Sequence, residues 1–157
     1  MIGISVRPAT TDDCRRYWEW ANDPVVRAAS FTTAPIPWEQ HVKWFGARLA
    51  ERVPLYVVVG DGGALLGQVR FDPQPDGAFA VGISLDVAAR GRGWAAPALR
   101  AGCDALRRDR PSALIVAYVR AENAPSLSAF VRAGFRSTGS VRVHDCDAVR
   151  LELAPCR

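Results

Sequence analysis

Apolar and polar residues alternate from Ile2 to Arg7, which predicts a half-buried strand ending at Pro8. The period then changes. Thr11 or Asp12 offers an N-cap, and Cys14, Tyr17, Trp18 and Ala21 recur at helical spacing. Asn22-Asp23-Pro24 breaks that helix, a short helix or turn is expected over Val25–Ala29, and Ser30–Pro37 reads as irregular. A further helix opens at Pro37 or Trp38 and runs to about Glu51, with Val42, Phe45 and Leu49 on one side. Three strands follow, Leu55–Val59, Leu65–Phe71 and Phe79–Leu85, separated by turns at Gly60–Gly63 and Asp72–Gly77. Trp94–Arg108 is a helix rich in alanine and leucine, Ala113–Val119 a buried strand, and Ala124–Ala133 a helix closed by Gly134. Two last strands flank a turn near His144–Asp147.

The order β-α-α-β-β-β-α-β-α-β-β places an antiparallel meander in the middle of the chain. The helix between Leu85 and Ala113 requires a parallel crossover there. One mixed α/β domain over residues 1–157 is expected, with six to seven strands and about four helices.

Length and composition narrow the classes. The 157 residues suffice for one core without disulfides or metal. Runs such as Leu114–Val119 are far shorter than the roughly 18 apolar residues of a membrane span. Met1–Thr10 has no apolar stretch of the kind a signal peptide carries, so a cytoplasmic chain with reduced thiols is expected and no membrane partner. Cys14, Cys103, Cys146 and Cys156 lack zinc-site spacing and only His41 and His144 could join them, so no metal is expected. The net charge of +4 invites a nucleic-acid reading. However, the arginines are scattered among acidic residues and form no basic stripe, and Lys43 is the sole lysine, as a GC-rich coding bias would produce.

The segment Ile83-Ser84-Leu85-Asp86-Val87-Ala88-Ala89-Arg90-Gly91-Arg92-Gly93-Trp94-Ala95 carries the strongest chemical signal. A strand ends, glycines and arginines follow, and a helix begins at once. Free N–H groups at a helix start, with glycines allowing close approach, form a seat for phosphate groups. Arg90 and Arg92 add charge. The segment lacks the Gly-Lys-Ser/Thr of a Walker loop and the full spacing of a dinucleotide fingerprint.

Arg90-x-x-Gly93-x-Ala95 resembles the pyrophosphate-binding pattern of the GCN5-related N-acetyltransferases. Asn123-x-x-Ser126 leading to Phe130-x-x-x-Gly134-Phe135 resembles that family's second cofactor element. The resemblance extends over nearly the whole chain. It implies a mixed sheet whose meander ends in a splayed parallel pair, with acetyl-CoA as cosubstrate lying in the splay. Leu85 and Val87 would then pair with the pantetheine arm through their backbone. Gly91, Arg92, Gly93, Trp94 and Ala95 would hold the pyrophosphate beside Arg90, and Asn123, Ser126 and Phe130 would border the arm from the other side.

The N-terminal pattern, Asn22-Asp23-Pro24 with Arg27 and Phe31 and then Trp38, His41 and Trp44, resembles acetyltransferases that modify 4-amino sugars on UDP in surface-polysaccharide pathways. Gln68 and Arg70 fit the same group. That resemblance implies a small-molecule amine, a nucleotide-sugar, as acceptor. Arg27 and Arg70 would face its diphosphate, His41 would bond phosphate or sugar, and an aromatic ring would stack on the base. Trp18, Trp20, Trp44 and Phe45, at helical spacing, read more readily as core than as ligand platforms. A looser similarity to ribosomal-protein alanine N-acetyltransferases leaves a protein N-terminus as an alternative acceptor, and a non-catalytic acyl-CoA-binding module is the alternative of another class. The acceptor's identity, the pathway and the oligomeric state, a homodimer included, stay open.

Attack of an amine on a thioester sets three tasks: a neutral amine, a stabilised oxyanion and a proton for the departing thiolate. The N–H of Leu85 is the expected oxyanion donor, and His41, or Glu122 through water, the expected base. Many relatives place a tyrosine acid where this chain has Phe130, which has no proton to give.

Overall fold

The computed structural model describes residues 3–155, so the expected strand residue Ile2 and Cys156 lie outside it. The chain runs β1 (Ser5–Pro8), α1 (Cys14–Ala21), α2 (Pro24–Ala29), α3 (Trp38–Ala50), β2 (Leu55–Val59), β3 (Leu65–Pro73), β4 (Phe79–Leu85), α4 (Ala95–Asp109), β5 (Ile115–Arg120), α5 (Ala124–Arg132), β6 (Arg136–Val143) and β7 (Cys146–Leu153). The seven strands form one sheet in the order β1-β2-β3-β4-β5-β7-β6. Every pair is antiparallel except β4–β5, as the strand order required. The turn left open at Val25–Ala29 is a helix, α2, because Asp23 caps Val25 N–H at 2.9 Å and Pro24 presets the first turn. The described residues therefore hold five α-helices, where about four were expected.

Strand alternation divides the sheet into two faces. Val69, Phe71, Val81, Ile115, Ala117, Val119 and Leu151 pack beneath α4 and α5. Gly102 lets α4 approach closely, since a Cβ there would stand 2.7 Å from a methyl of Val69. On the other face, Tyr17, Trp20 and Phe45 from α1 and α3 cover Leu55 and Val57. These helices lie over one side of the sheet, and much of the rest of that face is polar, around the buried Val116 and Ala148. Gln68, Arg70 and Asp72 on β3, Tyr118 and Arg120 on β5 and Arg150 and Glu152 on β7 all occupy it, by alternation with core residues.

Candidate active site

β4 and β5 pair at Phe79↔Ile115 and Ala80↔Val116, and then separate. The N–H of Phe79 reaches Leu114 O at 2.9 Å, so it points toward β5. Alternation turns the N–H groups of Val81, Ile83 and Leu85 the same way, into the gap. On its other edge β4 is held tightly to β3. Gly67, at φ +155°, passes so near that a Cβ would lie 2.2 Å from Ser84 O. The gap thus presents a row of strand amides with no protein strand opposite, which is what an extended amide-bearing arm can pair with.

Beyond Leu85 the chain turns through Asp86, whose carboxylate accepts Ala88 N–H at 3.0 Å and Trp20 Nε1–H at 2.9 Å. These two bonds hold the Asp86 carboxyl below its ordinary range. Gly91 and Gly93 adopt φ of +72° and +75°, open to glycine and strained for other residues. Among the described residues, the N–H groups of Gly91 to Trp94 donate to no protein acceptor. They lead into the free first-turn amides of α4, giving a nest of donors at the positive end of a helix.

A cleft of about 690 Å³ opens beside the gap on the polar face. Tyr17, Phe31, His41, Gln68, Arg70, Ser84, Leu85, Tyr118, Asn123, Ser126 and Phe130 all border it. It joins the edge of β4 to the N-terminal helices.

A family model for the acetyltransferase (GNAT) domain matches residues 4–136. The chain belongs to this family. It is an acetyl-CoA-dependent N-acetyltransferase of the GNAT type. No curated protein matches the sequence. Solved structures share the fold at low identity. An N-acetyltransferase from Staphylococcus aureus Mu50 is 22% identical with a TM-score of 0.79, over 97% of this chain and 98% of that one. A ribosomal-protein-alanine N-acetyltransferase from Brucella melitensis is 20% identical, TM-score 0.81, over 95% and 98%. Spermidine N-acetyltransferase from Vibrio cholerae, in complex with CoA and spermine, is 15% identical, TM-score 0.84, over 97% and 95%.

Within this GNAT frame the expected residues are not all free to act. Asn22 is engaged on both ends by Ile36, accepting its N–H at 2.7 Å and donating to its carbonyl at 3.0 Å. It clamps the loop at Ile36 and does not border the cleft. Arg27 donates to Ala21 O, Thr32 O, Ala34 O and Ser30 Oγ at 2.8 to 3.3 Å, which makes it the organiser of the 30–36 loop. Burial and the nearby Arg70 charge lower its pKa. His41 sits 3% exposed rather than on a polar surface, with Nε2 at 2.8 Å from Cys14 O and its ring among Trp38, Trp44 and Phe45. Burial lowers its pKa. Nε2 donating to that carbonyl fixes the ring within the aromatic cluster, and Nδ1 has no hydrogen-bond partner among the described residues. Glu122 is exposed, pairs with Arg120 at 3.4 Å and stands outside the main cleft, so these contacts do not place it as a base.

On the cofactor side, Arg90 is tied to Asp23 at 3.0 Å and to Leu85 O at 3.2 Å, so it braces the loop instead of reaching into solvent. Arg92 is exposed over the Trp94 ring, with Nε near Ala88 O. Val87 leaves the strand in a one-turn 3-10 helix and is exposed. Asn123 caps α5 by accepting Ser126 N–H at 3.3 Å, which leaves its amide donors for the gap. Phe130 is buried edge-on against Phe135. Gln68 is buried and donates to Tyr17 O at 3.1 Å. Arg70 stretches over Gly82, where a Cβ would stand 2.9 Å from its guanidinium carbon. Its carboxylate neighbour, Asp72, is 3.9 Å away.

Among the cleft residues that escaped the sequence reading are Ile83, whose amide shares the edge of β4 with that of Leu85, and Arg48, Asp72 and Arg120. The signal for Asp72 and Arg120 was the spacing of polar residues two apart along the strands, Gln68-Arg70-Asp72 and Tyr118-Arg120. Arg48 carried no such signal, because an arginine in the last turn of a helix is ordinary.

Proposed function

We propose that the acceptor is a small amine carrying an anionic group, a nucleotide-linked amino sugar acetylated at its 4-amino nitrogen. The observation that supports this reading is the charge at the acceptor end of the cleft. Arg27, Arg48, Arg70 and Arg120 border it, against the single carboxylate of Asp72 among the described lining residues. Asp72 is shared between Arg48 at 3.6 Å and Arg70 at 3.9 Å, distances too long for strong hydrogen bonds. Arg70 is therefore the arm offered to a diphosphate, with Arg27 contributing field from within its loop. Phe31 and Trp44 supply aromatic walls. A polycation such as the spermine held by the Vibrio cholerae enzyme meets like charge here.

The same charge serves the chemistry. Guanidinium groups around an acceptor amine disfavour its ammonium form, so the nucleophilic lone pair is available without a dedicated base. The amine attacks the acetyl carbon while the gap-facing N–H of Ile83 or Leu85 receives the developing oxyanion. The amides of Gly91 to Ala95, with Arg92, hold the cosubstrate's pyrophosphate.

The test is an acceptor panel with acetyl-CoA, following thiol release. A UDP-4-amino-6-deoxy sugar is expected to turn over, with spermidine and an alanine-terminated peptide far slower. Turnover confined to spermidine or to the peptide would overturn the acceptor assignment.

A further inference from the structure

Collapse of the tetrahedral intermediate places an electron pair on sulfur, and Phe130 offers that sulfur nothing. The hydroxyls of Ser30, Thr32, Ser84 and Ser126 border the cleft but do not ionise near neutral pH; the phenol and imidazole groups there number three among the described residues. The Tyr17 hydroxyl donates to Tyr56 O at 2.7 Å from a buried position. His41 is held at Cys14 O inside its aromatic cluster. Tyr118 remains. Continuing the β4–β5 register past Ala80↔Val116 sets Tyr118 level with Gly82, on the rim of the gap and between the inward amides of Val81 and Ile83. Its side chain lies on the cleft face, because Ala117 and Val119 point into the opposite core.

We propose that Tyr118 is the catalytic acid, its hydroxyl donating to the coenzyme sulfur that the gap holds. This rests on the acetyl-CoA reading of the same cleft. As the C–S bond breaks, its electron pair stays on sulfur and the Tyr118 proton moves to it. The proton lost by the acceptor nitrogen passes to water, and the phenolate regains a proton from water. Arg150 stands directly across the β5–β7 pair from Tyr118. It is anchored by Glu152 at 2.6 Å and by Thr138 Oγ1 at 3.0 Å. An arginine only donates, so it leaves the Tyr118 proton free and steadies the phenolate that follows. The other charged groups on this side are Arg120, two residues along β5, Arg70 above Gly82, and Arg27, Arg48 and Asp72 farther along the cleft.

The closing experiment needs no acceptor. Calorimetry compares CoA and acetyl-CoA binding to the parent and to Tyr118→Phe, from pH 7 to pH 9. The free thiol ionises near about 8.5, and a hydrogen bond to sulfur favours its bound thiolate. Parent affinity for CoA is therefore expected to rise with pH, whereas acetyl-CoA, which has no thiol, shows no such rise. Tyr118→Phe should cut CoA affinity at pH 9 by about tenfold, one charged hydrogen bond, and leave acetyl-CoA affinity within about twofold. An unchanged CoA to acetyl-CoA ratio at pH 9 overturns the role of Tyr118. A parent that binds neither ligand overturns the acyl-CoA reading itself, and Tyr118 with it.

Discussion

The carboxylate of Asp23 meets the guanidinium of Arg90 at 3.0 Å, fastening the first turn of α2 to the glycine loop at the start of α4. Asp23 Oδ1 also caps α2 through Val25 N–H, and Trp20 makes a second tie through Asp86. The acceptor-side helices and the cofactor loop are thus one connected assembly. Arg90 is a brace between them, which in the proposed function assigns the phosphate to the loop amides and Arg92.

That division of labour separates two variants. Arg92→Glu places a negative charge where the pyrophosphate is expected and should weaken acetyl-CoA binding by about tenfold or more. Asp23→Asn keeps a good N-cap but removes the charge facing Arg90. It should leave acetyl-CoA affinity within about twofold and raise the acceptor KM. Calorimetry and steady-state kinetics read the two effects. Equal loss of acetyl-CoA affinity in both variants would assign Arg90 to the phosphate after all.

Gly67 sets how closely β3 lies under the edge of β4. A methyl group there meets Ser84 O at 2.2 Å and Leu85 Cα at 2.9 Å, and the φ of +155° adds strain. Gly67→Ala should cost about 2 kcal/mol or more and move the Leu85 amide. Gly91→Ala adds a methyl that touches nothing, so only its φ of +72° is penalised, about 1 kcal/mol. Urea titrations of the two variants give the comparison, and equal losses would contradict the close-approach argument.

The order of strands, the parallel crossover and the glycine loop were legible in the sequence because each is a local matter of period or turn chemistry. The roles of the acceptor-side residues were not. Arg27, Asn22 and His41 look like binding groups in a linear pattern, yet each is engaged by backbone groups brought near by the fold, those of Thr32, Ala34, Ile36 and Cys14. A loop that crosses a sheet face must have its carbonyls satisfied, and long polar side chains nearby do that work. The same uncertainty hid the polar face. Strands such as Ala113–Val119 read as buried, and only the sheet order shows that one side of β5 is left uncovered.

Arg27 and Arg70 consequently make opposite predictions. Arg27→Ala removes three hydrogen bonds to the 30–36 loop and one to Ala21 O, and should lower Tm by several degrees, with both substrates affected. Arg70→Ala strips a half-exposed group from over Gly82 and should leave Tm nearly unchanged while raising the acceptor KM. A pronounced Tm loss for Arg70→Ala, with the acceptor KM intact, would count against its place in the acceptor site.

His41 decides between a post and a base. Its pKa is lowered in the folded protein by burial, against the opposing effect of the Cys14 carbonyl. The unfolded chain, with an ordinary value near about 6.5, binds the proton more readily. The stability held by neutral His41 is therefore fully present above about pH 6.5 and is lost as the pH falls from there toward the folded value. The carboxylates with lowered pKa, Asp13 and Asp86, add their own losses only at lower pH, below the ordinary carboxylate range. His41→Gln keeps an amide donor within reach of Cys14 O and cannot titrate. It should flatten the decline of Tm between pH 6.5 and pH 5 and retain turnover at pH 7.5 within a few fold. Loss of a general base costs about a hundredfold or more. A drop of that size with Tm unchanged would return the catalytic role to this histidine.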